Sequence, residues 1–319
     1  MTRHVVERLA QTGLVLAIMS FVIYGLIGLM PGDPIDVMVN ADPDLTPADA
    51  ARLKALYGLD LPIHVRYWNW LLAALAGDLG FSRLFSQPVL DVLWPRLGNT
   101  ALLMGLSFVA SILIALPLGV FAALRPHSLA DNLVNLFCFA GISVPPFWLA
   151  LMLIIVFAVV LGVLPAGGTP ALDAAGFWAG ARYLVLPVLA LTLASVGGYI
   201  RFVRAAVIET LRLDYIRTAR AKGCSRARVV WGHALRNATI PLATIVGLSF
   251  GTLFSGALIT ETVFAWPGMG KLIYDAVLGN DFNLALVGLL LATLTTLIGN
   301  LLADLLVTWL DPRIGGVGT

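Results

Sequence analysis

Charge is what this chain has least of. Asp, Glu, Lys and Arg make up 12% of its 319 residues, hydrophobic residues make up 59%, and the mean hydropathy is +0.92. Soluble domains carry about twice that share of charge, so a soluble fold is excluded and a multi-spanning membrane protein is indicated. The formal net charge of +2 says little globally; the information lies in where the charges sit. Cysteine is scarce too. Cys138 falls in an apolar run and Cys224 in a basic stretch, which excludes a disulfide framework and a zinc-like spacing. The four histidines, His4, His64, His127 and His233, are scattered without metal-ligand spacing, and no Ser, His and Asp set gathers on one side of the membrane. No catalytic residue and no metal site is therefore expected. A G-x-x-x-x-G-K-[ST] phosphate loop is also missing: the nearest Gly-Lys, Gly270 and Lys271, is followed by Leu272. ATP hydrolysis by this chain alone is not expected.

What is present is a series of apolar stretches long enough to cross a bilayer, at residues 9–30, 99–123, 133–162, 184–206, 238–264 and 283–309. The first follows Arg3 and Arg8 and runs for 22 residues, roughly 33 Å as a helix. It exceeds a signal-peptide core, lacks an A-x-A site and reads as an uncleaved span. The fold class is all-α, a polytopic membrane protein of six transmembrane helices. Pro117 and the pair Pro145 and Pro146 predict kinks, while Gly247, Gly251, Ser255 and Gly256 in the fifth span allow close helix contacts.

Lys and Arg number 13 on the side of both termini against 7 on the other, which places both ends in the cytoplasm. Residues 31–98, with eight Asp against five Lys or Arg, face outward. Thr46 reads as an N-cap followed by Pro47 and Asp49, with Gly58 closing that helix. A second helix starts near Pro62, carries Tyr67, Trp68, Trp70, Leu71 and Leu72, and ends at Gly77 to Gly80. A small helical extracytoplasmic insertion results.

The most basic stretch, RTARAKGCSRAR at 217–228, carries five positive charges and no negative one. Forcing its charges into the bilayer at about 2.5–3.5 kcal/mol each is prohibitive, so it lies in the cytosol. Val203, Val207, Leu211 and Tyr215 recur four apart, predicting that the fourth helix continues past the membrane. Gly223 is the expected break, before a second short helix over Arg226 to Arg236. Charge that merely sets topology or meets lipid is one reading of this loop, and a docking surface is the other. Nucleic-acid binding is disfavoured, because no stacking aromatics are interleaved.

YIRTARAKGCSRARVVWGHALRNATIP, residues 215–241, resembles the EAA loop of inner-membrane permease subunits of ABC importers, in the form used by the dipeptide, oligopeptide and nickel branch. Of the general pattern it keeps Ala219 and Gly223, with Arg217 and Thr218 in the first two positions and a late Pro241. MPGDP at 30–34, the run from Tyr57 to Ser82, SVPPFWLALMLI at 143–154, WPGMGKLIYDA at 266–276 and DPRIG at 311–315 resemble the same family in the same order.

The resemblance implies an N-terminal helix (1–30), an extracytoplasmic helical segment (31–98), a five-helix permease core (99–310) with a cytoplasmic coupling loop (207–237), and a tail (311–319). It also implies a second permease, two ATP-binding subunits that hold ATP and Mg, and an extracytoplasmic substrate-binding protein; this chain itself holds no cofactor. The coupling residues it implies are Tyr215, Arg217, Ala219, Arg220, Lys222, Gly223, Arg226 and Arg228. A polar translocation path would use Asn99, Ser107, Ser143, Ser195 and Asn300, with Thr100, Ser111 and Thr192 as further polar positions. The delivery protein would dock near Asp33, Trp68, Trp266 and Lys271. Asp304, near the cytoplasmic end of the last span, reads as an interface anchor, with pairing to a basic residue of the inner loop as the alternative. The competing class is an ion-gradient-driven secondary transporter or channel. Such proteins bury several ionisable groups at mid-membrane, and the central portions of these spans have none.

Overall fold

The computed structural model describes residues 2–29, 46–56, 60–169, 172–235 and 257–310. Helix α1 (Thr2–Gly28) is followed by α2 (Pro47–Leu56), α3 (Ile63–Leu75) and a two-stranded antiparallel hairpin, β1 (Phe81–Ser82) with β2 (Gln87–Pro88). Next come α4 (Val89–Ala123), α5 (Leu129–Ser143), α6 (Pro146–Leu153), which runs on as a π-helical turn over Ile154–Val160, and α7 (Leu172–Thr210). After α8 (Asp214–Ala221) and a second π-helical segment, Arg228–Ala234, the chain ends in α9 (Leu258–Val263), α10 (Met269–Leu278) and α11 (Phe282–Leu310).

Among the described residues four helices are long and apolar enough to span a membrane: Glu7–Gly28, Val89–Ala123, Gly180–Thr210 and Phe282–Leu305. They match the first, second, fourth and sixth expected spans, although α4 begins well before residue 99. The expected third span, 133–162, is not one helix. It breaks into α5 and α6, which meet at 99°. Val144 precedes a proline and adopts the extended conformation forced on such residues, and Pro145 has no N–H to continue the ladder. Most of the expected fifth span, with Gly247, Gly251, Ser255 and Gly256, lies outside the described residues, as do Gly58 and Pro241.

Helix α7 is the central element, packed against α4, α5 and α6. Its contacts need small residues. A Cβ on Gly119 of α4 would lie 2.7 Å from Val203, and one on Gly197 of α7 would lie 2.8 Å from the Cys138 carbonyl of α5. Backbones approach closely there because dispersion, not hydrophobic transfer, drives helix association in lipid. The α4–α7 seam is also polar: the Ser111 and Ser195 hydroxyls are 3.0 Å apart, and the Thr192 hydroxyl donates to the Ser107 carbonyl at 3.3 Å. Each of these three serines also bonds back to the carbonyl four residues earlier, which leaves little polar capacity unmet.

Helix α1 lies beside α11 and is held at one end by an aromatic patch with α3. Tyr67 bonds Ser20 at 2.7 Å and packs edge-on to Phe21, while Tyr24 contacts Trp70. At the opposite end Arg8 pairs with Asp304 at 3.2 Å. Asp304 thus meets a basic residue of the first helix, because α1 and α11 run side by side. Thr46 caps α2 as read from sequence: its hydroxyl accepts from Asp49 N–H and also donates to the Asp49 carboxylate, which holds that carboxyl below the usual range.

Gly197→Ala is expected to destabilise the detergent-solubilised chain through overpacking by about 1–3 kcal/mol, read as a lower thermal midpoint. The neighbouring Gly198→Ala, whose Cβ would meet nothing within 4 Å, should leave it unchanged. Equal effects in a scanning unfolding assay would contradict the packing described.

Candidate functional site

The basic loop folds into a compact clip at one end of α4 and α7. Helix α7 stops at Thr210, and Leu211 to Leu213 form a turn in which Leu213 is extended. The expected unbroken continuation through Tyr215 is therefore corrected: Tyr215 belongs to the separate helix α8. Neither glycine nor proline marks this break. Asp214 in the first turn of α8 suits the positive end of a helix, and it pairs with Arg217 at 3.2 Å on the exposed face.

Helix α8 ends as a Schellman motif. Cys224 N–H donates to the Ala219 carbonyl at 3.2 Å, and Gly223 N–H to the Arg220 carbonyl at 3.0 Å, with Gly223 at φ +78°. Only glycine adopts that left-handed conformation without steric cost. The reversal folds Arg228–Ala234 back on α8, so that Ile216, Ala219, Val229 and Ala234 are buried together, with Leu211 and Cys224 against them. Ala219 thus faces inward, into the clip.

The clip is fixed to the bundle in two ways. Val230 packs among Val120 and Ala123 of α4 and Val203, Ala206 and Val207 of α7. Arg226 donates to the Leu124 carbonyl at the end of α4 at 3.4 Å. Between them lies a cleft of about 380 Å³ lined by Leu124, Leu211, Arg220, Cys224, Arg226, Val229 and Val230. Arg217, Lys222 and Arg228 are exposed, as is Tyr215. Six of the eight coupling candidates thus share the exposed surface of one small unit, while Ala219 is buried within it and Gly223 forms its bend.

The other expected sites fare differently. Asn99 is tied down: its amide donates to the Pro267 carbonyl at 2.9 Å, and its own carbonyl accepts from the Trp266 indole at 3.1 Å. Ser107 is buried in the α4–α7 seam and Ser195 is half-buried there, so these two join helices; Ser143 and Asn300 are exposed. Of the docking candidates, Trp68 is exposed, whereas Trp266 is buried by its contact with α4, which corrects its assignment to an outer surface. Lys271 is ion-paired with Asp275, and Asp33 lies outside the described residues.

Among the described residues, three buried carboxylates were missed from sequence. Glu261 is fully buried where α4 meets α9 and α10, accepting from the Thr100 hydroxyl at 2.7 Å and from Lys271 N–H at 2.9 Å. Thr100 in turn accepts from Met269 N–H at 2.8 Å. A Cβ on Gly268 would sit 2.2 Å from the Glu261 carboxyl, so glycine leaves the room it occupies. Asp281 accepts from Ser82, Leu84 N–H and Leu284 N–H, joining the hairpin to the start of α11. At the other end of the bundle, Asp131 of α5 takes a two-point contact from Arg204 of α7, at 2.6 and 2.7 Å, and also accepts from His127 N–H and Asn135. No sequence signal short of the fold pairs residues so far apart.

A bundle of apolar helices whose buried charges lie near its two ends, with a basic helical clip at one end, fits a membrane-spanning subunit, and the comparisons with known proteins identify its class. The chain belongs to the inner-membrane permease components of binding-protein-dependent ABC importers, in the peptide branch. The family model described as "binding-protein-dependent transport system inner membrane component" matches residues 115–316, and that for the N-terminal part of such components matches residues 1–103. The oligopeptide transport system permease protein AppB of Bacillus subtilis is 38% identical over 94% of each chain. The glutathione transport system permease protein GsiC of Escherichia coli O6:H1 is 35% identical over 98% of this chain and 99% of the relative. A structure of the MetNI methionine ABC transporter in inward-facing conformations matches with a TM-score of 0.51 over 69% of this chain and 99% of the other, at 21% identity, a likeness of fold. The gradient-driven alternative is thereby set aside.

Asp131→Asn and Arg204→Gln should each lower stability, and the double variant should fall short of the sum by about 1–3 kcal/mol. Strict additivity in a thermal double-mutant cycle would show that the ion pair carries no coupling.

Proposed function

We propose that this subunit, with a second homologous permease, forms the path for peptides handed over by an extracytoplasmic binding protein. Its relatives' names, which include oligopeptide, dipeptide and glutathione permeases, support the peptide class. Energy enters from two partner ATPases that hold ATP and Mg. With both termini cytoplasmic, as the distribution of Lys and Arg favours, the clip around Gly223 faces those ATPases, and the helical segment with Trp68 faces the binding protein.

The observation that carries this reading is the clip itself: a helix pair closed by its own apolar contacts, basic on its outer face, and anchored to the ends of α4 and α7. Topology alone requires positive charge there; it does not require charge displayed on an ordered, reversed helix. Tyr215, Arg217, Lys222 and Arg228 supply the contact surface. Arg220 and Arg226 line the cleft behind it, and displacement of the clip reaches the core through Val230 and Leu124. Ser143 and Asn300, both exposed, supply polar surface for a path shared with the second permease.

Two outcomes are expected in vesicles containing the assembled transporter. Gly223→Pro, which cannot adopt positive φ, abolishes peptide uptake while membrane insertion is retained; normal uptake at wild-type expression would remove the loop's role. ATP depletion stops uptake by the unaltered transporter whereas a protonophore does not, and the reverse pattern would overturn the ATP-driven reading.

A further inference from the structure

Helix α3 packs on the flanks of two membrane-spanning helices, within their apolar lengths. Tyr67 bonds Ser20 at 2.7 Å and meets Phe21 edge-on, with ring centroids 5.1 Å apart. Ser20 lies about two turns, or roughly 12 Å, inside the end of α1 at Gly28. Trp70 contacts Tyr24 and packs on the cluster that holds Ile23, Ile27 and Leu286, the last about one turn inside the start of α11 at Phe282. One leaflet supplies about 15 Å of hydrocarbon, so these contacts put α3 beside the spans at leaflet depth rather than above them in water.

The sequence of α3, IHVRYWNWLLAAL, contains no acid. Ile63, Tyr67 and Trp70 recur at i, i+4 and i+7 and form the face turned to α1 and α11, with Ile63 approaching Gly28. Trp68, Leu72 and Leu75 repeat that spacing on another face, where they are 58%, 51% and 77% exposed. Half-buried Arg66 turns its guanidinium to the Tyr24 hydroxyl, which leaves this second stripe without charge. A helix apolar on two faces gains nothing from water on the second.

The depth selects what covers that stripe. Phe21, Val22 and Leu26 of α1 are exposed on a span whose free surface meets hydrocarbon, and α3 is laid against that same span. The stripe continues this lipid-facing surface sideways, and tryptophan with leucine is the composition of a helix seated at the bilayer boundary. We propose that α3 is an interfacial membrane helix, with Trp68, Leu72 and Leu75 lodged among the acyl chains of the leaflet at the Gly28 end of α1. The lipid then clamps α3 onto α1 and α11 from outside, opposite the aromatic patch. A binding protein can still dock on this side of the subunit, but through surfaces other than the Trp68 stripe.

The test is a nitroxide label placed singly at Trp68→Cys, Leu72→Cys or Leu75→Cys, after Cys138→Ser and Cys224→Ser, in the assembled transporter in phosphatidylglycerol and phosphatidylethanolamine vesicles. At all three positions collisions with oxygen, which concentrates in hydrocarbon, should exceed those with a water-soluble nickel complex severalfold. A preference for the nickel complex would place the stripe in water and overturn the proposal. Little collision with either reagent would mean that protein covers it, the second permease if this holds in the transporter alone, the binding protein if only after its addition; either result also overturns the lipid. A measurement without labels guards against disturbed folding. Brominated lipid should quench part of the fluorescence of the eight tryptophans, and Trp68→Phe should lower that quenchable part. An unchanged quenchable part would overturn the proposal as well.

Discussion

Close approach of three elements to helix α7 is the constraint on which the remaining structure depends. Between lipid-soluble helices there is no transfer of apolar surface from water to gain, so association rests on dispersion, which demands near contact. Gly119 and Gly197 permit that contact on two sides of α7, and the serines and Thr192 of the α4–α7 seam direct their hydroxyls to carbonyls within it. Because α7 is pinned along its length, its end provides a fixed floor for the basic clip, and α5 can turn away through 99° into α6 without loosening the core.

Buried charge follows a second rule, set by the same solvent. Each buried carboxylate lies near an end of the bundle and is met by backbone N–H groups, a hydroxyl or an arginine, because an ion without such partners is far too costly in this environment. Glu261, Asp281 and Asp131 thus act as ties between segments distant in the chain, two on the side of the hairpin and one on the side of the clip. Their placement leaves the middle of the described spans free of ions.

Hydropathy made α1, α4, α7 and α11 legible, since twenty apolar residues have few alternatives to a membrane helix. Thr46, Gly77 and Gly223 were also readable, because caps and positive-φ turns depend on local chemistry. The break at Leu211 to Leu213 was not: none of its residues disfavours a helix, and it is fixed by packing of the clip against α4. The angle between α5 and α6 could not be read from Pro145 and Pro146, which announce only that a helix stops. Trp266 resembled an interfacial aromatic, and its burial follows from Asn99, a residue 167 positions away. The coupling candidates gathered as one unit because they are contiguous; the path candidates scattered because an isolated serine in an apolar helix serves a carbonyl as readily as a cavity.

The turn after Thr210 sets the mechanical character of the clip. A continuous helix would act as a shaft, passing rotation from its tip along the whole of α7. A helix interrupted at Leu211 instead gives a pivot. Under the proposed coupling, the clip, held together by Ile216, Ala219, Val229 and Ala234, would swing as one piece, and its second attachment at Leu124 would turn that swing into a push on the end of α4. Torque would be dissipated at such a pivot while displacement is kept, so a stroke received by the clip would be delivered to the neighbour of α7 rather than along its axis.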